Sequence, residues 1–167
     1  MRMNHAQEIL PAGSWNRATA SDRIALDYDA RHRRRFRYLA EAGTDFLLDL
    51  ARAAVLQHGD GLALDDGRIV EVIAAPESLT EIKADSAQAL VRLAWHIGNR
   101  HLPAQLEADR ILIREDHVIT DMLLGLGAQV RHLQAPFTPE SGAYANAHSH
   151  AQQQEHPFVF TGVSHGH

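Results

Sequence analysis

The residues able to do chemistry in this chain are its histidines: 12 of them, with no cysteine, in 167 residues. Neutral imidazole is a good ligand for nickel, copper, zinc and iron. Without thiolates, a metal site here must combine imidazole with carboxylate, water or backbone oxygen, a donor set that suits nickel(II) or zinc(II) about equally. Affinity alone would favour copper, so selectivity has to come from geometry and supply.

Two places bring histidines together in sequence. In His96-Ile97-Gly98-Asn99-Arg100-His101 the two imidazoles are five residues apart, about 140° around an ideal helix, so they do not chelate one ion from a regular helix. His101 continues the helical spacing of Leu90, Ala94 and Ile97, or lies just past the helix end if Gly98 breaks it. Two readings of it stand: a buried structural histidine with a satisfied hydrogen bond, or a ligand on a face that packs against something. The second place is His148-Ser149-His150, where alternating histidines in a flexible segment can close on one ion, or can simply be solvated. A two-fold axis near His101 would set two imidazoles side by side. The tail could then reach over with His148 or His150. Such a site is exposed, is held partly by a flexible segment, and can release its ion by stepwise ligand exchange, as a carrier requires.

The elements that must position these groups fall into three stretches. Between Ser21 and Ala75 the signals are those of strands: Ile24, Leu26 and Tyr28 alternate with polar residues, as do Phe36 and Tyr38, then Phe46, Leu48 and Leu50. Asp65-Asp66-Gly67 between Leu62-Leu64 and Ile69-Val72 is a hairpin signal. This reads as a small, mostly antiparallel β domain over residues 1–75, of a partner- or peptide-binding type. Residues 76–142 change pattern, with Pro76 at the boundary. Leu79–Ala84 reads as a strand. Leu90, Leu93, Ala94 and Ile97 mark a helix capped by Asp85 or Ser86 and ended by Gly98-Asn99. Ile111 and Ile113 mark a strand. A second helix begins at Asp116, carries Val118, Ile119, Met122, Leu123 and Leu126, and stops at Gly127. Ala128–Leu133 returns as a strand. The order is that of a ferredoxin-like βαββαβ domain, so the chain as a whole is α+β. Residues 143–167 lose apolar periodicity and read as a flexible tail holding His148, His150, His156, His165 and His167.

Composition excludes several classes. A net charge of −5 argues against bulk nucleic-acid binding. The run Arg31-His32-Arg33-Arg34-Arg35-Phe36-Arg37 reads as the solvated face of a strand, with a docking surface for an acidic partner as the minor alternative. No stretch approaches the roughly 20 apolar residues of a membrane span, and no signal peptide is legible at the start. These features fit a cytoplasmic protein. The metal-hydrolase motif H-E-x-x-H, the nucleophile elbow G-x-S-x-G and the P-loop are all missing. The chain therefore reads as a non-enzyme. The remaining enzyme reading is a zinc hydrolase through His96, His101 and a carboxylate.

Three motifs in order carry a family resemblance. Gly98-Asn99-Arg100-His101-Leu102-Pro103-Ala104-Gln105 resembles the signature of the urease accessory protein UreE family, which are nickel metallochaperones. Asp116-His117-Val118-Ile119, with Leu126-Gly127-Ala128, resembles the segment that follows it. Pro136 to Tyr144 resembles the close of the family's folded region, and Asp65-Asp66-Gly67-Arg68 to Glu77 resembles the end of its N-terminal domain. The resemblance implies a homodimer through the C-terminal domain, with the possibility of a metal-linked dimer of dimers. It implies that His101 meets its symmetry mate on nickel(II) carried as cargo, and that His148 and His150 complete the site. His96 and His117 match secondary histidines of the family. Zinc(II) or copper(II) could occupy the same or peripheral sites. The implied partners are the GTPase UreG and the UreD–UreF–urease apoprotein complex, with neither nucleic acid nor membrane. A general nickel, zinc or copper buffer is the competing function. Two departures matter: Glu115 stands where some members carry histidine, and the tail is sparser in histidine than a polyhistidine run, which implies fewer bound ions. Because imidazole binds metal only when deprotonated, nickel should be released below roughly pH 6.

Overall fold

A computed structural model describes residues 2–141. The first sheet holds six strands: β1 (Asn4–Leu10), β2 (Asp22–Leu26), β3 (Arg35–Leu39), β4 (Asp45–Asp49), β5 (Gly61–Leu64) and β6 (Ile69–Ala74), in the spatial order β2-β6-β5-β1-β4-β3. Its buried face is built from Phe46, Leu48, Leu62, Val70 and Val72, all fully enclosed. The Asp65-Asp66-Gly67 hairpin forms as the sequence predicts. Gly67 takes φ +88°, which a residue with a Cβ resists, and its N–H donates to the Leu64 carbonyl at 3.0 Å.

The sheet is mixed rather than purely antiparallel. β3–β4, β5–β6 and β1–β5 are antiparallel, but β1 runs parallel to β4 and β2 parallel to β6. β1 carries no clean alternation, because its register shifts between Ala6 and Glu8. The predicted strand through Tyr28 is also shorter than expected. It ends at Leu26, and Asp27 caps a one-turn helix α1 (Tyr28–Arg31) by accepting the Ala30 N–H at 2.8 Å.

The second sheet holds β7 (Pro76–Lys83), β8 (Gln105–Leu106), β9 (Ile111–Arg114) and β10 (Gln129–Pro136), in the order β10-β7-β9-β8, antiparallel throughout. With helices α2 (Ala87–Asn99) and α3 (His117–Gly125) this is the predicted βαββαβ arrangement. Both helices lie on one face: Leu90, Leu93 and Ile97 of α2, with Ile119 and Leu123 of α3, pack on Ile82, Ile111 and Ile113. Ser86 caps α2, Asp116 caps α3, and Gly127 at φ +86° follows the end of α3. Among the described residues no helix is long and apolar enough to cross a membrane.

The opposite face of the second sheet meets the first unit. Leu79, Leu112 and Phe137 form a small buried cluster against which Tyr28 packs. Arg31 closes this junction and corrects the reading of the arginine run as a solvated strand face. It is fully buried, and donates to the carbonyls of Leu26 at 3.3 Å, Leu56 at 3.1 Å and Phe137. Only the arginines after it, Arg33, Arg34, Arg35 and Arg37, are exposed.

Candidate metal centre

Helix α2 delivers the central histidine. The side chain of Ser86 accepts the Ala89 N–H at 3.1 Å, which starts the helix, and its apolar stripe carries it across the sheet to Asn99. The exit is unusual. His101 adopts φ +56°, the one non-glycine residue among those described with positive φ, and its N–H donates to the Gly98 carbonyl at 3.0 Å. A left-handed residue closing a helix C-terminus is normally glycine. Histidine is among the side chains that tolerate the region best, at a cost of order 1 kcal/mol.

The effect is to stop the helix and turn the imidazole outward. Ile97 before it is fully buried, Leu102 and Ala104 after it pack on the same core, and His101 itself is exposed. The backbone is thus held on both sides of an imidazole that is exposed, and the buried structural reading of His101 does not hold. A helix C-terminus also bears partial negative charge, which favours a bound cation. Arg100, the residue before His101, donates to the His96 carbonyl at 3.1 Å and so meets part of that partial charge itself.

The other predicted ligands lie apart. His96 is half-buried, with its ring edge-on to Trp95 at 5.1 Å between centroids. His117 is the exposed first residue of α3, beside the cap Asp116, which accepts the N–H groups of Val118 and Ile119 at 2.9 and 3.1 Å. There it lines a shallow cleft with Glu115, Thr120, Asp121 and His132. His148 and His150 lie outside the described residues. Among the described residues, no three histidine or carboxylate side chains are grouped to hold an ion within one chain.

Three features escaped the sequence reading. The His132 Nδ1 lies 2.9 Å from a Glu115 carboxylate oxygen, a juxtaposition made by the pairing of β10 and β9 on either side of β7 rather than by spacing. Val91 and Trp95, one helical turn apart, are 68% and 63% exposed on the outer side of α2, where a lone soluble domain would carry polar groups. The third is the root of the tail. The Thr138 N–H donates to the Gln105 side-chain oxygen at 2.9 Å and the Glu140 N–H to the Ala104 carbonyl at 2.8 Å. The chain therefore leaves the folded region fastened to the segment that directly follows His101.

Comparison with known proteins places the two units separately. The family model for the UreE urease accessory protein N-terminal domain matches residues 5–75, and that for the UreE C-terminal domain matches residues 77–167. The chain is 51% identical over 145 residues to a urease accessory protein UreE of Beijerinckia indica, covering 87% of this chain and 83% of the relative. It is 57% identical over 137 residues to one from Chelativorans sp. strain BNC1, covering 82% and 86%. A Rhodobacter capsulatus relative of the same name is 50% identical over 144 residues, covering 86% and 88%.

Proposed function

Since the chain belongs to the UreE urease accessory protein family, with a role in urease maturation, we propose that it is a nickel carrier rather than an enzyme. It binds nickel(II) between two copies of the chain and passes it to the maturing urease. In this reading residues 1–75 are a partner-binding domain, 76–142 the metal-binding and dimerisation domain, and 143–167 a histidine-bearing tail. The carrier works in the cytoplasm with UreG and the UreD–UreF–urease apoprotein complex.

The observation that carries the reading is the pairing of His101 with the tail root. Among the described residues, one chain offers a single imidazole at this turn, too few ligands for an ion. A symmetry mate supplies the second. The exposed Val91 and Trp95 on the same helix supply apolar surface for that contact. His148 is eight residues beyond Glu140, which is fastened to Ala104. Eight residues span up to about 28 Å, and Ala104 is only three residues from His101, so His148 and His150 can reach the same ion. A tail ligand that detaches first gives the ion a stepwise way out. His96 and His117 serve as secondary ligands, with zinc(II) or copper(II) as competitors.

The test is nickel titration by calorimetry on three forms: the whole chain, His101→Ala, and a chain ending at Tyr144. The carrier reading requires loss of the tight site in His101→Ala and weaker binding in the shortened chain. Unchanged affinity in both would end it. Nickel transfer to urease that depends on UreG and GTP separates a carrier from a general metal buffer, which would show none.

A further inference from the structure

Strand β3 forms one edge of the six-stranded sheet, and among the described residues nothing pairs with its outer side. Its hydrogen-bonding phase is set by its ends. The Ala40 N–H donates to the Thr44 carbonyl at 2.8 Å and the Leu50 N–H to the Arg34 carbonyl at 3.0 Å. The ladder alternates along an antiparallel pair, so Arg34, Phe36, Tyr38 and Ala40 bond to β4 and its flanks. The main-chain groups of Arg35, Arg37 and Leu39 then point away from β4, free to receive another strand.

The side chains at this edge have a definite chemistry. Phe36 is 41% exposed and carries the Arg33 guanidinium over its ring at 4.1 Å from the centroid. On the other face of the strand stand Arg35, Arg37 and Leu39, the last 69% exposed. Arg37 is held by Asp45 through two hydrogen bonds, at 2.9 and 2.5 Å, whereas Arg35 lies 3.6 Å from the half-buried Asp49, a loose pair worth little. Arg33 and Arg34 have no carboxylate partner among the described ion pairs. The edge is therefore basic in a chain whose net charge is −5.

We propose that β3 is a docking edge for an extended acidic segment of a partner protein, which adds to the sheet as a seventh strand. The charge selects the occupant. A second copy of β3 would bring arginine against arginine, the device by which edges avoid self-pairing. A segment alternating acidic and apolar residues meets the loosely paired Arg35 with a carboxylate, in the positive field of Arg33 and Arg34, and Phe36 with its apolar side chain. Main-chain hydrogen bonds supply affinity and the alternation supplies specificity. This assignment concerns residues 33–39 and stands whether or not the chain carries nickel.

The probe is a fluorescein-labelled peptide alternating valine and glutamate, with a valine–lysine peptide as control, measured by fluorescence anisotropy on the whole chain. The glutamate peptide is expected to bind, and the lysine peptide not to. Raising salt from about 0.05 M to about 0.3 M should weaken binding several-fold as screening shortens. Leu39→Pro removes one outward N–H while leaving the β3–β4 ladder intact, and should weaken binding about tenfold or more. A double charge reversal, Arg33→Glu with Arg35→Glu, keeps every main-chain group and should abolish the salt dependence. Circular dichroism confirms that each variant is folded. Equal binding of both peptides, or binding by the folded charge-reversed form equal to the parent's, would overturn the proposal. So would capture only by a chain ending at Ser141, which would give the edge to the chain's own tail.

Discussion

At the scale of single residues, a histidine does a glycine's job. His101 at φ +56° ends α2 and faces solvent, while its neighbours on both sides are packed. This separates fold from function in one substitution. His101→Gly removes the imidazole but suits the left-handed backbone, so thermal unfolding should change by no more than about 1 kcal/mol. Nickel affinity should nevertheless fall about tenfold or more, since losing even a residue that orients a ligand costs that much. Arg31 behaves in the opposite way. Its guanidinium satisfies three carbonyls inside the junction of the two units. Arg31→Met leaves them unpaired and should destabilise the protein by roughly 3 kcal/mol in urea unfolding, with His101 untouched. The spacing Leu90, Ala94, Ile97, His101 pointed to the first residue but left its burial open. Nothing in a run of arginines showed that its first member is enclosed, because burial there depends on Phe137, 106 residues away.

At the scale of elements, the parts readable in sequence were those with local causes. Both long helices start at caps the local sequence offered, Ser86 (one of two candidates, with Asp85) and Asp116, and the Asp-Gly hairpin closes where expected. What could not be read has long-range causes: the parallel β1–β4 and β2–β6 pairs, and β1 itself, whose bulge breaks the alternation. The fastening of the tail root belongs to this class too, and it can be tested. Gln105→Ala deletes the acceptor for the Thr138 N–H at 2.9 Å. It should weaken the tail's contribution to nickel affinity while leaving the affinity of a chain ending at Tyr144 unchanged. Calorimetry on the four combinations reads the coupling directly. The second sheet also carries a pH dependence. The Arg110 guanidinium, followed by that of Arg131, holds the nearly buried Glu81 carboxyl below its usual range despite burial. A depressed folded value means this stabilisation is complete above the ordinary carboxylate range and is lost as pH falls through the lowered one. Glu81→Gln should therefore lower stability near neutral pH, and flatten the loss of stability seen in acid by thermal melts.

At the scale of the whole molecule, two units are joined through Tyr28, Leu79, Leu112, Phe137 and Arg31. The first presents the basic edge at β3. The second presents His101 beside the root of the tail and an apolar helix face suited to a second copy. The placement of these surfaces follows from the fold, whereas the proposed metal site would need two copies of the chain to complete it. Zinc and nickel share the same donors, so competition between the two ions should narrow, and not abolish, nickel loading. The most direct measurement is the mass of the nickel-loaded protein in solution, taken by sedimentation equilibrium with bound metal counted in the same sample, for the parent chain and for His101→Ala. The account predicts a dimer that holds a tight nickel ion shared by two chains, with that ion missing from the variant. A monomer that binds nickel as tightly without the imidazole at position 101 would contradict it.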